Sequence, residues 1–219
     1  YLDLIVNADV RKVFIARSKV IRAVRLFLEK EGFLEVDTPV LHTLAGGAAA
    51  TPFVTHHEAL DMKLYMRIAL ELHLKRLLVG GFEKVFEIGR VFRNEGISFK
   101  HNPEYTLLEV YQAYVDYNAM MDLTERLISS VMQEVTGGTT VIYGDHTIEF
   151  KSPWKRITMT DALKEYGGID LAAPEKELRL AAEKKGVEGA GKISVGKLIG
   201  VLYDKYVERH LIQPTFIVD

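Results

Sequence analysis

Two stretches that alternate in period two, "KVFEIGRVFR" at residues 84–93 and "YTLLEVYQAYVDY" at 105–117, flank one short charged segment, "NEGISFKHNPE". Alternation places successive side chains on opposite faces, so two such runs close in sequence predict long antiparallel strands. Their connection, about ten residues long, exceeds the usual hairpin loop, and connections of that kind tend to carry function. In the second stretch Tyr105, Leu107, Glu109, Tyr111 and Ala113 share one face, opposite Thr106, Leu108, Val110, Gln112 and Tyr114.

Around this pair the chain reads as helices and short strands. Asn7 is placed to cap a helix whose Val13, Phe14, Val20, Ile21, Val24, Phe27 and Leu28 form one stripe, predicted to be buried, with Gly32 ending it. "FLEVDTPVL" is extended, since Pro39 steers Thr38 away from helix. The small residues of "AGGAAATPF" let backbone approach a ligand closely. A strand "KLYMRIA" and a helix "LELHLKRLLV", stopped by Gly80 and Gly81, precede the alternating pair. Beyond it, Asn118 is expected to cap a helix reaching Gly137 and Gly138. "TTVIYGDHTIEF" makes a hairpin turning at Gly144-Asp145, helices start at Thr158, Pro174 and Ser194, and "QPTFIVD" is a strand. No repeat, low-complexity tract or Pro/Gly/Ser linker interrupts the chain, so one α+β domain over residues 1–219 is expected, an antiparallel sheet flanked by helices.

Composition limits the function classes. With 219 residues, 48% hydrophobic and 26% charged, the chain can bury a core. A net charge of -2 supplies no global basic field for nucleic acid. The absence of cysteine removes disulfides and thiolate zinc sites and agrees with a reducing compartment, the cytoplasm by default. No apolar run approaches the ~20 residues that span a bilayer, so no membrane association is expected. A start at Tyr1 and a strand at the last residues read as a segment of a longer protein.

Each candidate site residue has a plainer explanation beside it. Glu109 sits mid-strand among Leu108, Val110 and Tyr111, where a carboxylate is costly to desolvate without a cation or donors; the plainer alternative is a wet sheet face. Arg93 suits bidentate capture of phosphate or carboxylate, or else pairs with Glu95 or Glu104. Glu71, in the first turn of a helix, is by itself only favourable with the helix dipole. His56 and His57 point to opposite faces of an extended segment and make a poor metal pair. Signatures of zinc hydrolases, serine esterases and P-loop enzymes are absent from the sequence.

Taken in order, "FLEVDTPVL" and the run from "GGAAATPFVTHHEALDMKLYMRIALELHLKRLL" through "VFEIGRVFRNEGISFKHNPEYTLLEVYQAYVDY" closely resemble the catalytic domain of class II lysyl-tRNA synthetases. The resemblance runs over essentially the whole chain and is densest at residues 33–117. It implies motif 1 of that family near 33–41, at a homodimer interface, and motif 2 near 85–112, the strand-loop-strand that holds ATP. Carried over by position, Arg93 would bridge the α-phosphate of ATP and the lysine carboxylate. Glu95, His101 and Asn102 would lie on the ATP side, and Tyr105 would stack on adenine. Gly47 and Glu71 would meet the α-amino group of lysine, and Glu109 and Tyr111 its ε-ammonium. The implied activity is ATP- and Mg2+-dependent activation of L-lysine and its transfer to tRNA(Lys).

The sequence departs from the family at Thr51, where arginine is usual, and at Ala69, where proline is usual. The third family motif, the metal carboxylates and the anticodon-binding domain lie outside residues 1–219, which implies a weak or inactive segment on its own, with no metal ligands within it. Two alternatives share part of the pattern: the lysine ligase paralogue that modifies elongation factor P, and a non-catalytic dimerisation or RNA-binding module. "GGAAATPF" and "RNEGIS" favour the synthetase over the first, and the intact Arg93, Glu95, Tyr105 and Glu109 favour it over the second.

Overall fold

The first long helix begins and ends where its sequence predicts, in a computed structural model that describes residues 1–98 and 101–219. Phe99 and Lys100, including the lysine of the charged loop, lie outside the described residues. The chain divides into two units, residues 1–120 and 121–219.

The first unit opens with α1 (Leu2–Val6) and α2 (Ala8–Lys30). The Asn7 side chain accepts the Asp9 amide at 3.2 Å, capping α2. Gly32, at φ +84°, donates to the Glu29 carbonyl and ends it. The apolar stripe is not buried along its length: Ala23 and Leu28 are, but Val13 and Phe14 are 67% and 60% exposed. Near the N-terminus no element among the described residues of its unit covers that face, so the sequence pattern marked a face able to pack without showing that this unit supplies the partner.

Next come β1 (Leu34–Glu35), β2 (Leu41–His42), β3 (Val54–His57), a single 3-10 turn, β4 (Met62–Met66), α3 (Glu71–Val79), β5 (Lys84–Phe92) and β6 (Glu104–Gln112). One sheet has the order β1-β5-β6, with β1 parallel to β5 and β5 antiparallel to β6; the other, β2-β4-β3, is antiparallel. Leu70, Leu74, Val85 and Val91 form the buried cluster joining α3 to β5, with Tyr105, Leu107 and Tyr111 of β6 against it. The β5–β6 ladder is unbroken from Lys84 opposite Gln112 to Phe92 opposite Glu104.

Two boundaries differ from expectation. Alternation suggested a strand reaching Tyr114, but β6 stops at Gln112, and Tyr114 is exposed at φ +61° in a turn. Helix α4 (Tyr117–Thr136) is capped by Asp116, which accepts the Ala119 amide at 3.1 Å, whereas Asn118 donates its side-chain amide to Asp116. Both hydrogen bonds favour the charged form and lower the Asp116 pKa, the Asn118 bond first.

In the second unit, β7 (Thr140–Tyr143) and β8 (His146–Glu149) turn at Gly144, φ +58°. They are followed by β9 (Lys155–Thr158), α5 (Met159–Gly167), α6 (Glu175–Lys184), α7 (Val195–Tyr206) and β10 (Thr215–Val218). Thr158 and Ser194 cap their helices through side-chain oxygens, as their positions suggested. The partner of β10 is β9, in parallel, an element the sequence reading missed because "KRIT" is too short and too polar to announce a strand. Ala162, Leu163, Leu198, Leu202 and Val207 form the centre of this unit's core. Leu198→Ala is expected to lower unfolding free energy by about 2–5 kcal/mol, read from a urea transition. The whole is α+β, with predominantly antiparallel pairing and two parallel contacts, β1 with β5 and β9 with β10.

Candidate functional site

The loop end of the β5–β6 ladder is held open as a cavity of about 360 Å3 lined by Arg93, Glu95, Gly96, His101, Asn102 and Tyr105. Five of these six are residues singled out from the sequence. The Arg93 amide donates to the Pro103 carbonyl at 2.8 Å, extending the ladder one step, and the Asn94 amide donates to the Thr51 carbonyl at 2.7 Å. The second bond ties the loop to the small-residue segment through backbone alone, so it is indifferent to threonine standing at position 51. Ser98 and His101 face each other across the tip, Ser98 Oγ lying 2.7 Å from His101 Nδ1.

Arg93 does not pair with Glu95 or Glu104: Glu104 binds Arg90 at 3.1 Å. Its Nε instead donates to the Ile68 carbonyl at 3.3 Å, and its guanidinium lies 5.5 Å from the Tyr105 ring centroid. Held by a neutral acceptor and an aromatic face, its positive charge is not neutralised by a carboxylate among the described residues.

Glu109 presents the complementary case. In the β5–β6 register it stands directly opposite Glu87, and two carboxylates facing each other across a ladder repel unless each finds a partner. Glu87 has one: it is 2% exposed, bound by Arg67 at 2.6 Å and by the Thr38 hydroxyl at 2.6 Å. Glu109 accepts only neutral donors, the Leu70 amide at 3.0 Å and the Tyr111 hydroxyl at 2.7 Å, and pairs with no cation among the described residues. Burial first, then the Glu109 carboxylate, pushes the Tyr111 hydroxyl far above its ordinary range, so it stays a donor. The wet-face explanation fails, since Glu109 and its neighbours on β6 are half-buried.

Gly47 and Glu71 are neighbours. A Cβ on Gly47 would lie 3.2 Å from the Ala69 Cβ and 3.3 Å from the Glu71 Cβ, and its φ of +88° suits glycine alone. Glu71 begins α3 and binds Lys75 at 2.6 Å, a half-exposed i,i+4 pair worth a few tenths of a kcal/mol. His56 lies 3.2 Å from Asp61, not with His57 in a metal pair. Among the described residues no group of three or more His, Cys, Asp or Glu gathers to hold a metal ion.

Sequence reasoning missed Thr38, Arg67 and Glu87, all buried. The logic applied to Glu109 would have found Glu87, another mid-strand carboxylate among apolar neighbours. Arg67 gave no signal, since an arginine at the end of "KLYMR" reads as surface.

The strand-loop-strand ends on an arginine that no carboxylate among the described residues neutralises, set over an aromatic ring, and over the whole sequence the matching family is that of the class II synthetases. The chain belongs to that class: the family described as tRNA synthetases class II (D, K and N) matches residues 1–219. Among its relatives, the lysine–tRNA ligase of Thermoanaerobacter pseudethanolicus is 56% identical over 221 residues, covering 100% of this chain and 44% of the relative. That of Moorella thermoacetica is 56% identical, covering 100% and 45%, and that of Lysinibacillus sphaericus 57% identical, covering 99% and 44%. The chain thus spans less than half the length of the relatives it matches.

Proposed function

We propose that these residues form the amino-acid activation site of a lysine–tRNA ligase, which joins L-lysine to ATP as lysyl-adenylate and passes it to tRNA(Lys). The observation that carries the reading is Glu109: a half-buried carboxylate, opposite a carboxylate that is already neutralised, and paired with no cation among the described residues. A long aliphatic ammonium ion satisfies it, whereas an uncharged side chain of equal length leaves it unpaired. Tyr111 fixes the second carboxylate oxygen and orients the charge.

In this reading ATP occupies the cavity at the loop end, adenine against Tyr105, with Glu95, His101 and Asn102 on its polar edges. Lysine extends from Gly47 and Glu71, which take its α-amino group, to Glu109. A lysine carboxylate oxygen attacks the α-phosphorus; the bond to the β-phosphate breaks, and pyrophosphate leaves with the electron pair. Two anions must meet, so the reaction needs positioning and charge neutralisation more than a general base. Arg93, with no carboxylate partner among the described residues to give up, serves both. Mg2+ accompanies ATP in the family's chemistry, but the described residues do not supply a ligand set for it. The segment near 33–41 corresponds to motif 1 and residues near 85–112 to motif 2 of one catalytic domain. A homodimer through motif 1 is supported by the open apolar face of α2, where Val13 and Phe14 are uncovered.

The test is exchange of pyrophosphate into ATP by the full-length protein carrying these residues. Exchange that depends on lysine and is not supported by ornithine or norleucine is expected; exchange driven equally by other amino acids would sink the assignment.

A further inference from the structure

Residues 67–70 join β4 to α3 without regular structure, yet all four are buried. A buried segment of this kind must find partners for its backbone, and here they come from both halves of the site. The Ile68 carbonyl accepts from Arg93 Nε at 3.3 Å, and two residues on, the Leu70 amide donates to Glu109 at 3.0 Å. Among the described residues, the segment is therefore the one piece of backbone that touches the arginine of the nucleotide side and the carboxylate of the amino-acid side together.

Arg67 fixes where that segment starts. Its side chain is 4% exposed. Nε donates to the Arg90 carbonyl at 2.7 Å; Nη1 donates to Glu87 at 2.6 Å and to the Thr38 carbonyl at 2.9 Å. Its own carbonyl accepts the Phe92 amide, and its amide donates to the Val40 carbonyl, each at 2.9 Å. Two separate stretches, one around Thr38 and the other β5 at Glu87 and Arg90, thus converge on one guanidinium. The space is reserved by Gly89, where a Cβ would fall 2.3 Å from Arg67 Nη2. A buried ion pair of this kind is weak grounds for stability, because desolvation offsets much of the attraction; fixing one geometry is the better account of it.

We propose that Arg67, locked by Glu87 and Thr38, is a positioning residue that sets Arg93 and Glu109 in register through residues 68–70, so that the nucleotide and amino-acid halves of the site stand or fall together. The inference rests on the functional reading above. Displacing the guanidinium loosens both contacts at once; a group held 1 Å out of place can cost about 10²-fold in rate.

Two variants test this without deleting Arg67. Gly89→Ala pushes on Nη2 and leaves every charge in place; Glu87→Gln keeps the shape and removes the charge that holds Nη1. Lysine and ATP affinities of the unaltered protein and both variants would be measured by calorimetry, well below each melting temperature. Both variants are expected to bind lysine and ATP about tenfold more weakly, the two ligands falling together. Lower melting temperatures with both affinities unchanged would overturn the proposal, as would loss confined to one ligand, since that would make each half independent. An unaltered protein that binds neither ligand brings down the functional reading and this inference together, an outcome distinct from binding that the variants leave intact.

Discussion

Arg93→Ala should reduce lysine-dependent pyrophosphate exchange by about 10²–10³-fold or more, the loss typical when one preorganised donor to a developing charge is removed. Its present contacts are a carbonyl and an aromatic face, both neutral, so truncation leaves no buried carboxylate unpaired. The fold should therefore survive, and the melting temperature separates the two effects. Arg93→Lys should recover part of the activity, because the charge remains but the planar fork that can hold two oxygens is lost. Full activity in the alanine variant would place the charge neutralisation elsewhere and remove Arg93 from the mechanism.

Glu109→Gln should weaken lysine binding by about 10²-fold while ATP binding changes little, as measured by calorimetry with each ligand alone. A carboxylate offers two acceptor oxygens, which the Leu70 amide and the Tyr111 hydroxyl use. Glutamine offers one acceptor and sets an NH2 group against a remaining donor. The ammonium then loses its counter-charge and meets a site already carrying one neutralised pair, Arg67 with Glu87. Lysine affinity equal to the parent's would show that another group receives the ε-ammonium.

The sequence carried the β5–β6 ladder because alternation is a local signal, and it carried Glu109 because a carboxylate among apolar neighbours must be answered by something. It placed the α2, α5 and α7 caps for the same reason, since a cap is settled within a few residues. What it did not carry depends on distant partners. The stripe on α2 is exposed at Val13 and Phe14 because nothing among the described residues of its unit covers it. The β9–β10 pairing joins residues about sixty apart, and although "QPTFIVD" announced β10, the short, polar "KRIT" did not announce β9. Arg67 looked like surface until the fold brought Thr38, Glu87 and Arg90 around it. The roles proposed for the loop residues come from resemblance alone; what the fold adds is that those residues line one cavity.

The Leu70 amide is held by a side chain instead of a ladder. An amide in a helix or strand is protected by neighbours that open cooperatively, but this one is protected only while a single carboxylate stays in place. Its exchange with solvent deuterium is thus tied to the posture of Glu109, and the molecule carries, in its own backbone, a proton that records whether that carboxylate is set or released.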